Sequence, residues 1–313
     1  MHIVADWADY TTLDVMKGNA RAILPEEITP RSALYHYVSS DRPRDHDTAL
    51  EQRVLRPQED KLDIDISFQK LRYDRHGSWW GRGTAADEHH FVLSLGPMTW
   101  DEKKRTSNLL FSDPAAYERL QQRGVRDHND ANAYFSNPLT VHTILIDDAG
   151  GIPLFKRSKA SSVLADKYHG IAGHVELHSG ALFDGTNVSE RLLIALDQTA
   201  RTEVHEELGK HVSSTRLLGF MDCGTAFEAV YACRVKGTLE NALAEADCVD
   251  VHDHVAMHYS PTPAKLVEAI TTLDCTPHCR FVAQLYLCHA DKAAYDLLRS
   301  TAHTSSSSHM APQ

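Results

Sequence analysis

Arg201-Thr202-Glu203-Val204-His205-Glu206-Glu207-Leu208-Gly209 closes a helical pattern that opens near Asn187. Leu193, Leu196, Ala200, Val204 and Leu208 recur at helical spacing and form its apolar stripe, and Gly209 supplies the stop. Residues three and four apart share a helix face, so Glu203, Glu206 and Glu207 project together. Three adjacent carboxylates repel one another, and a hard, oxygen-seeking cation relieves that repulsion. Mg²⁺ is the natural candidate, with Mn²⁺ as the alternative. On spacing alone, a solvated acidic helix face explains the same residues equally well.

Working outward, Gly170-Ile171-Ala172-Gly173-His174-Val175-Glu176 is rich in turn formers. Before it, Thr140 to Ile146 reads as an apolar strand and Asp147-Asp148-Ala149-Gly150-Gly151 as a turn. Ile152 to Phe155 then reads as a return strand running into Lys156-Arg157-Ser158, so the pair is expected to form a hairpin. Downstream, Leu217 to Met221 and Glu228 to Val235 supply further strands and Pro263 to Leu273 a helix. This order implies a mixed α/β sandwich rather than a doubly wound parallel sheet.

The front part reads as a smaller mixed α/β domain. Asp63 to Phe68 alternates as a half-buried strand, and Phe91 to Leu95 is a second strand closed by Gly96-Pro97. A short helix is capped by Asp113, begun by Pro114 and ended at Gly124. The expected organisation is an N-terminal domain over 1–135, a second domain over 136–300 and a polar, disordered tail over 301–313.

Composition narrows the function classes. The chain has 313 residues, 42% hydrophobic and 24% charged, as in a soluble globular protein. A formal net charge of −11 argues against holding nucleic acid by its phosphates, whereas a small phosphorylated ligand carried with a divalent cation fits. There is no apolar run of membrane-spanning length, and the acidic start lacks a secretory pattern, so a cytoplasmic protein with no membrane partner is expected. The six cysteines show no Cys-x-x-Cys pair and read as reduced thiols. Cys275-Thr276-Pro277-His278-Cys279 imitates half a zinc site, but without a matching second pair buried thiols are the stronger reading. Asp250-Val251-His252-Asp253-His254 carries ligand chemistry and reads as a hydrated loop.

The segment around Glu203 resembles the second half of the Nudix box. In that family pattern an arginine, a glutamate and an aliphatic residue precede a pair of glutamates and a glycine. Glu203, Val204, Glu206, Glu207 and Gly209 fall on their positions, and Ala172-Gly173-His174-Val175-Glu176 is similar to the glycine opening of the box. The sequence departs from the pattern at Thr202, which stands where the box has arginine, and at Lys210, which stands where it has an aliphatic residue. The stretch from Gly173 to Glu203 is also longer than the pattern, which leaves Glu190 as a weak counterpart of the loop glutamate. Phe91-Val92-Leu93-Ser94-Leu95-Gly96-Pro97-Met98-Thr99-Trp100, Asn132-Ala133-Tyr134-Phe135-Ser136-Asn137-Pro138-Leu139 and Gly173-His174-Val175-Glu176 together resemble a Nudix subfamily with its own N-terminal domain, which cleaves UDP-glucose and UDP-galactose.

The resemblance implies a Nudix α/β/α sandwich with a mixed sheet. It also implies metal-dependent hydrolysis of a nucleoside diphosphate-linked metabolite, foremost a UDP-sugar to UMP and sugar 1-phosphate. Glu203, Glu206 and Glu207 would be the metal ligands and catalytic groups, with Glu176 a substrate contact; Arg157, by its planar fork of donors, and His174 read as phosphate contacts, with a surface strand-end arginine and a backbone-bonded loop histidine equally open. Two alternatives stand beside it: a Nudix hydrolase of a dinucleotide or coenzyme, and a degenerate Nudix domain that binds without cleaving.

Overall fold

The structure, a computed structural model, describes residues 21–23, 33–37, 70–82, 89–98, 103, 106, 109, 113–129, 131, 134–136, 138–159, 164–175, 188–222, 226–246 and 254–298. Its first elements are β1 (Arg21–Ile23), β2 (Ala33–Tyr37), β3 (Lys70–Arg82), β4 (His89–Met98) and α1 (Pro114–His128). Then follow β5 (Leu139–Ile146), β6 (Ile152–Arg157), β7 (Tyr168–His169), β8 (Ile171–His174), α2 (Val188–Leu208), β9 (Val212–Asp222) and β10 (Phe227–Val235). The chain continues through α3 (Ala242–Glu245), β11 (His254–Ser260), α4 (Pro263–Thr272) and α5 (Pro277–Ala290).

Strand β5 is buried at every position, so it belongs in the interior of a sheet. It runs parallel to β10 and antiparallel to β8. With β9 and β1 they form a mixed five-stranded sheet in the order β1-β9-β10-β5-β8. Side chains alternate across it. Leu139, Val141 and Leu145 of β5 and Phe227, Ala229 and Tyr231 of β10 meet the α2 stripe of Leu196, Ala200, Val204 and Leu208. Ile144, Ile146, Val230 and Ala232 face the other way, against Leu266 and Ile270 of α4 and Phe281 and Leu285 of α5. The sheet therefore lies between α2 on one side and α4–α5 on the other, the expected α/β/α sandwich with a mixed sheet. Each fully buried side chain of this size contributes about 1.5–3 kcal/mol, so the two faces are the main source of stability.

The expected hairpin is not a paired one. Both edges of β5 are already occupied by β10 and β8, and β6 instead pairs with β11 and β7 in a separate three-stranded sheet. The turn-rich stretch after Gly170 is largely strand β8. Gly124 does not end α1. The helix continues through it to His128 and stops at Asn129, whose φ of 54° places it in the left-handed region that ends a helix. The start of α1 is as expected, with Asp113 accepting from the Ala116 N–H at 3.0 Å and Pro114 beginning the helix.

Strand β4 contains Phe91 to Leu95 and continues through Gly96-Pro97 to Met98. Strands β2, β3 and β4 form a third sheet in the order β2-β4-β3. The strand expected over Asp63 to Phe68 and the tail over 301–313 lie outside the described residues, as does the side chain of Leu193. Cys233, Cys275 and Cys279 are buried free thiols. Among the described residues no helix is long and apolar enough to cross a membrane.

Candidate active site on helix α2

Helix α2 brings Glu203 and Glu207 to the framework and leaves Glu206 exposed. Glu203 lies against the backbone of Gly173, which pairs with Val141 in the sheet. Any β-carbon at 173 would overlap the Glu203 carboxyl group, so the missing side chain lets helix and strand approach this closely. The glycine and the glutamate that the sequence placed about thirty positions apart thus meet in space.

Glu207 is almost fully buried, and its Oε2 lies 2.6 Å from His254 Nε2. A buried carboxylate needs such a donor, because an unpaired charge out of water is costly. His254 opens β11 and is itself buried, with its ring 5.1 Å from Phe155 and 5.3 Å from His169. Its Nδ1 is buried and makes no hydrogen bond. Burial drives the pKa of His169 well below 6.5, reinforced by the positive charge of Arg157 and the neighbouring histidines, so this ring is neutral at physiological pH.

Arg157, at the end of β6, is the register partner of His254 and is half-buried. Its backbone N–H donates to the carbonyl of Lys167 at 2.9 Å. The structure therefore brings Arg157, His254 and Glu207 together at one edge. His174 ends β8, half-buried, in register with Thr140. Glu176 lies outside the described residues, as does the side chain of Glu190.

The departures from the box have a clear local outcome. Thr202 is exposed. Arg201 turns towards β9, donating to Asp197 Oδ2 at 2.8 Å, to the carbonyl of Val212 at 2.9 Å and to Thr215 Oγ1 at 3.2 Å. It takes no part in holding the glutamates. Lys210 forms an ion pair with Glu245 at 2.8 Å.

His254 corrects the sequence reading, since it is buried strand and not hydrated loop. The apolar Val255-Ala256-Met257 that follows it was the available signal for a strand. His169 was also missed, and a single histidine beside a glycine offers no signal of its own.

Among the described residues, the group whose ligand atoms gather within 4.8 Å is His142, Glu228 and His278, not the three glutamates of α2. The more widely spaced glutamates of α2 still suit Mg²⁺, which needs only one or two carboxylates because it keeps several waters and takes phosphate oxygens.

No family model matches the sequence, and no curated protein matches it. Solved structures do resemble it. A MutT protein from Methanosarcina mazei Go1 is 16% identical over 50% of this chain and 96% of that one, with a TM-score of 0.35. A MutT Nudix hydrolase from Burkholderia pseudomallei is 18% identical over 48% of this chain and 97% of its own, with a TM-score of 0.32. The Nudix domain of Shewanella oneidensis NrtR, complexed with ADP-ribose, is 12% identical over 52% of this chain and 94% of its own, with a TM-score of 0.32. Each is a likeness, and what the site can do follows from its own residues.

Proposed function

We propose that the chain is a Mg²⁺-dependent pyrophosphohydrolase of the Nudix type that cleaves a nucleoside diphosphate-linked metabolite, with UDP-hexoses as the substrate class. One observation carries this reading: Glu203 fits against the bare backbone of Gly173 while His254 fixes Glu207, on one helix and beside Arg157. A solvated acidic face has no use for a glycine cleared for one carboxyl group or a buried histidine holding another. The oxygen-rich donor set fits a hard divalent cation.

Glu203, Glu206 and Glu207 would hold the ion, and a bound Mg²⁺ would offset charge on the diphosphate and lower the pKa of a coordinated water. Glu203 or Glu207 then orients the attacking water and takes up its proton. Arg157 offers a planar fork of donors to the diphosphate oxygens. His174, which ends β8, and Glu176 are further substrate contacts in this reading. Water adds to one phosphorus, the anhydride bond breaks, and UMP and hexose 1-phosphate leave. The UDP-sugar preference rests on the resemblance carried by Phe91 to Trp100, Asn132 to Leu139 and Gly173 to Glu176. The domains over 1–135 and 136–300 are part of the same reading.

The test is incubation of the purified chain with UDP-glucose and Mg²⁺, alongside EDTA and a Glu206→Gln/Glu207→Gln variant, with products separated by chromatography. UMP and glucose 1-phosphate, absent from both controls, are expected. Turnover only of a dinucleotide or a coenzyme A derivative would keep the hydrolase and retire the UDP-sugar. Failure on every diphosphate would leave a binding domain, the reading that the exposed Thr202 and the diverted Arg201 favour.

A further inference from the structure

On the α4–α5 side of the sheet, β5 and β10 are apolar at Ile144, Ile146, Val230 and Ala232. The same face turns polar towards the strand starts, at Thr140, His142 and Glu228, yet all three residues stay buried. Thr140 is the register partner of Glu228, and His142 lies two residues further along β5. His278 enters from the first turn of α5, after Thr276 and Pro277. Its Nδ1 lies 2.6 Å from Glu228 Oε1, and His142 Nδ1 lies 3.2 Å from Glu228 Oε2. The side chains of His142, Glu228 and His278 are 3%, 6% and 17% exposed, so three ionisable groups share one nearly dry volume.

Two further observations single the cluster out. Thr140 Oγ1 and His142 Nε2 are both buried without a hydrogen-bond partner. Buried polar atoms normally find one, and the exception at the Thr140 hydroxyl, in register with Glu228, calls for a missing ligand or water on this face. In addition, Gly170 leaves its β-carbon position open against His142, where a side chain would meet Nε2 at 3.0 Å and the Thr143 carbonyl more closely still. The imidazole is thus given room as well as burial.

We propose that His142, Glu228 and His278 form a buried site for a zinc-class divalent ion, separate from the carboxylates of α2. Two imidazoles and a carboxylate make a nitrogen-and-oxygen donor set, which selects zinc-class ions over Mg²⁺. Three protein ligands leave a fourth position for water, and the Thr140 hydroxyl beside Glu228 supplies that water with a partner. Ligand atoms about 2.0–2.2 Å from zinc stand roughly 3.3–3.6 Å apart around a tetrahedron. One ligand atom from each residue lies within 4.8 Å of the others, and rotation of His278, the most exposed of the three, and of the Glu228 carboxyl group brings them to that spacing. In the ion-free state each Nδ1 faces a Glu228 oxygen, and on binding a neutral ring carries its one proton on Nε2 and offers the Nδ1 lone pair to the ion.

The site accounts for the Cys275-Thr276-Pro277-His278-Cys279 segment differently from a cysteine half-site. His278 belongs to the cluster, while Cys275 and Cys279 are buried thiols that interact with each other. The cysteines are therefore dispensable for the ion.

The experiment loads the full chain, stripped with EDTA, with Zn²⁺ in excess Mg²⁺ and measures zinc per chain after desalting, together with Co²⁺ absorption as a spectroscopic probe. About one tightly held ion per chain is expected. Cobalt bands should be retained in Glu203→Gln/Glu206→Gln and in Cys275→Ser/Cys279→Ser. Zinc should fall to background in His278→Ala, with folding checked by circular dichroism. Zinc absent from the wild type, bands lost in the glutamate or cysteine pair, or zinc retained by folded His278→Ala would each overturn the assignment.

Discussion

The two ends of strand β5 are built on different terms. At the C-terminal end Asp147 is fully buried, and each of its oxygens is used twice. Oδ1 accepts from Ala149 N at 3.0 Å and Gly151 N at 2.7 Å, and Oδ2 from Leu239 N at 3.1 Å and Tyr259 Oη at 2.6 Å. At the N-terminal end, Thr140 Oγ1 and His142 Nε2 are buried without partners on one face of the sheet. Beyond β5's partner Gly173, the other face holds the Glu203 carboxyl group. A fold satisfies its polar groups where they only hold it together, and leaves them crowded or unpaired where something else is to bind. In the proposed reading, the contrast separates a structural end from a chemical one.

The largest expected effect is at the structural end. Asp147→Ala removes an acceptor shared by the β5–β6 turn, the segment after β10 and strand β11, and leaves buried donors unpaired. We expect a loss of about 3–5 kcal/mol, read from denaturant unfolding of the full chain. The same carboxylate sets an acid limit. Burial alone would raise its pKa, but the Tyr259 hydroxyl and the backbone N–H groups of Leu239, Gly151 and Ala149 outweigh that and bring it below 3.8. A depressed folded-state pKa contributes stability that is present above the unfolded value and lost as pH falls through the folded one. Melting temperature should therefore drop on acidification below 3.8, and Asp147→Asn should show a shallower acid slope. An unchanged slope would remove Asp147 as the anchor.

The chemical end should respond in the opposite currency. Glu207→Gln keeps an oxygen for His254 but loses the charge. Diphosphate hydrolysis is expected to fall on the order of a hundredfold or more, the equivalent of several kcal/mol of transition-state stabilisation, while unfolding moves little. His254→Asn should act more mildly, raising the Mg²⁺ concentration for half-maximal activity by roughly 10–100-fold with recovery at saturating metal. Recovery separates positioning from collapse, since an unfolded site would not regain turnover with added ion. Equal losses in stability at both ends of β5 would erase the distinction between them.

Much of this could be read from residue spacing, and the limits are physical. The α2 stripe and its Gly209 stop were legible because a single helix face repeats with period 3.6 and ends at a residue suited to positive φ, here 64°. The sandwich followed from the order of the elements. Strand partners were not legible: β6 leaves β5 for β11 because β10 and β8 hold both β5 edges, and β10 comes some eighty residues later. For the same reason the glutamate triad was visible, as neighbours on one helix, whereas His254 beside Glu207 and His142 beside Glu228 come together only through the tertiary fold. Gly124 misled because glycine marks helix ends by habit, and here it is buried inside α1.

The smallest expected effect sharpens the comparison most directly. Thr202 stands where the box resemblance expects an arginine, and its side chain is exposed, while Arg201 is committed to Asp197, Val212 and Thr215. If the task of that arginine is to hold a glutamate in place, His254 already performs it from β11 at 2.6 Å. Thr202→Arg should then leave both stability and turnover within about 0.5 kcal/mol, or roughly twofold in rate, of the wild type. A large gain in turnover from Thr202→Arg alone would mean that His254 leaves the helix under-determined. The chemical end of β5 would then be a site still short of one residue, and not one that reached the same geometry from a different strand.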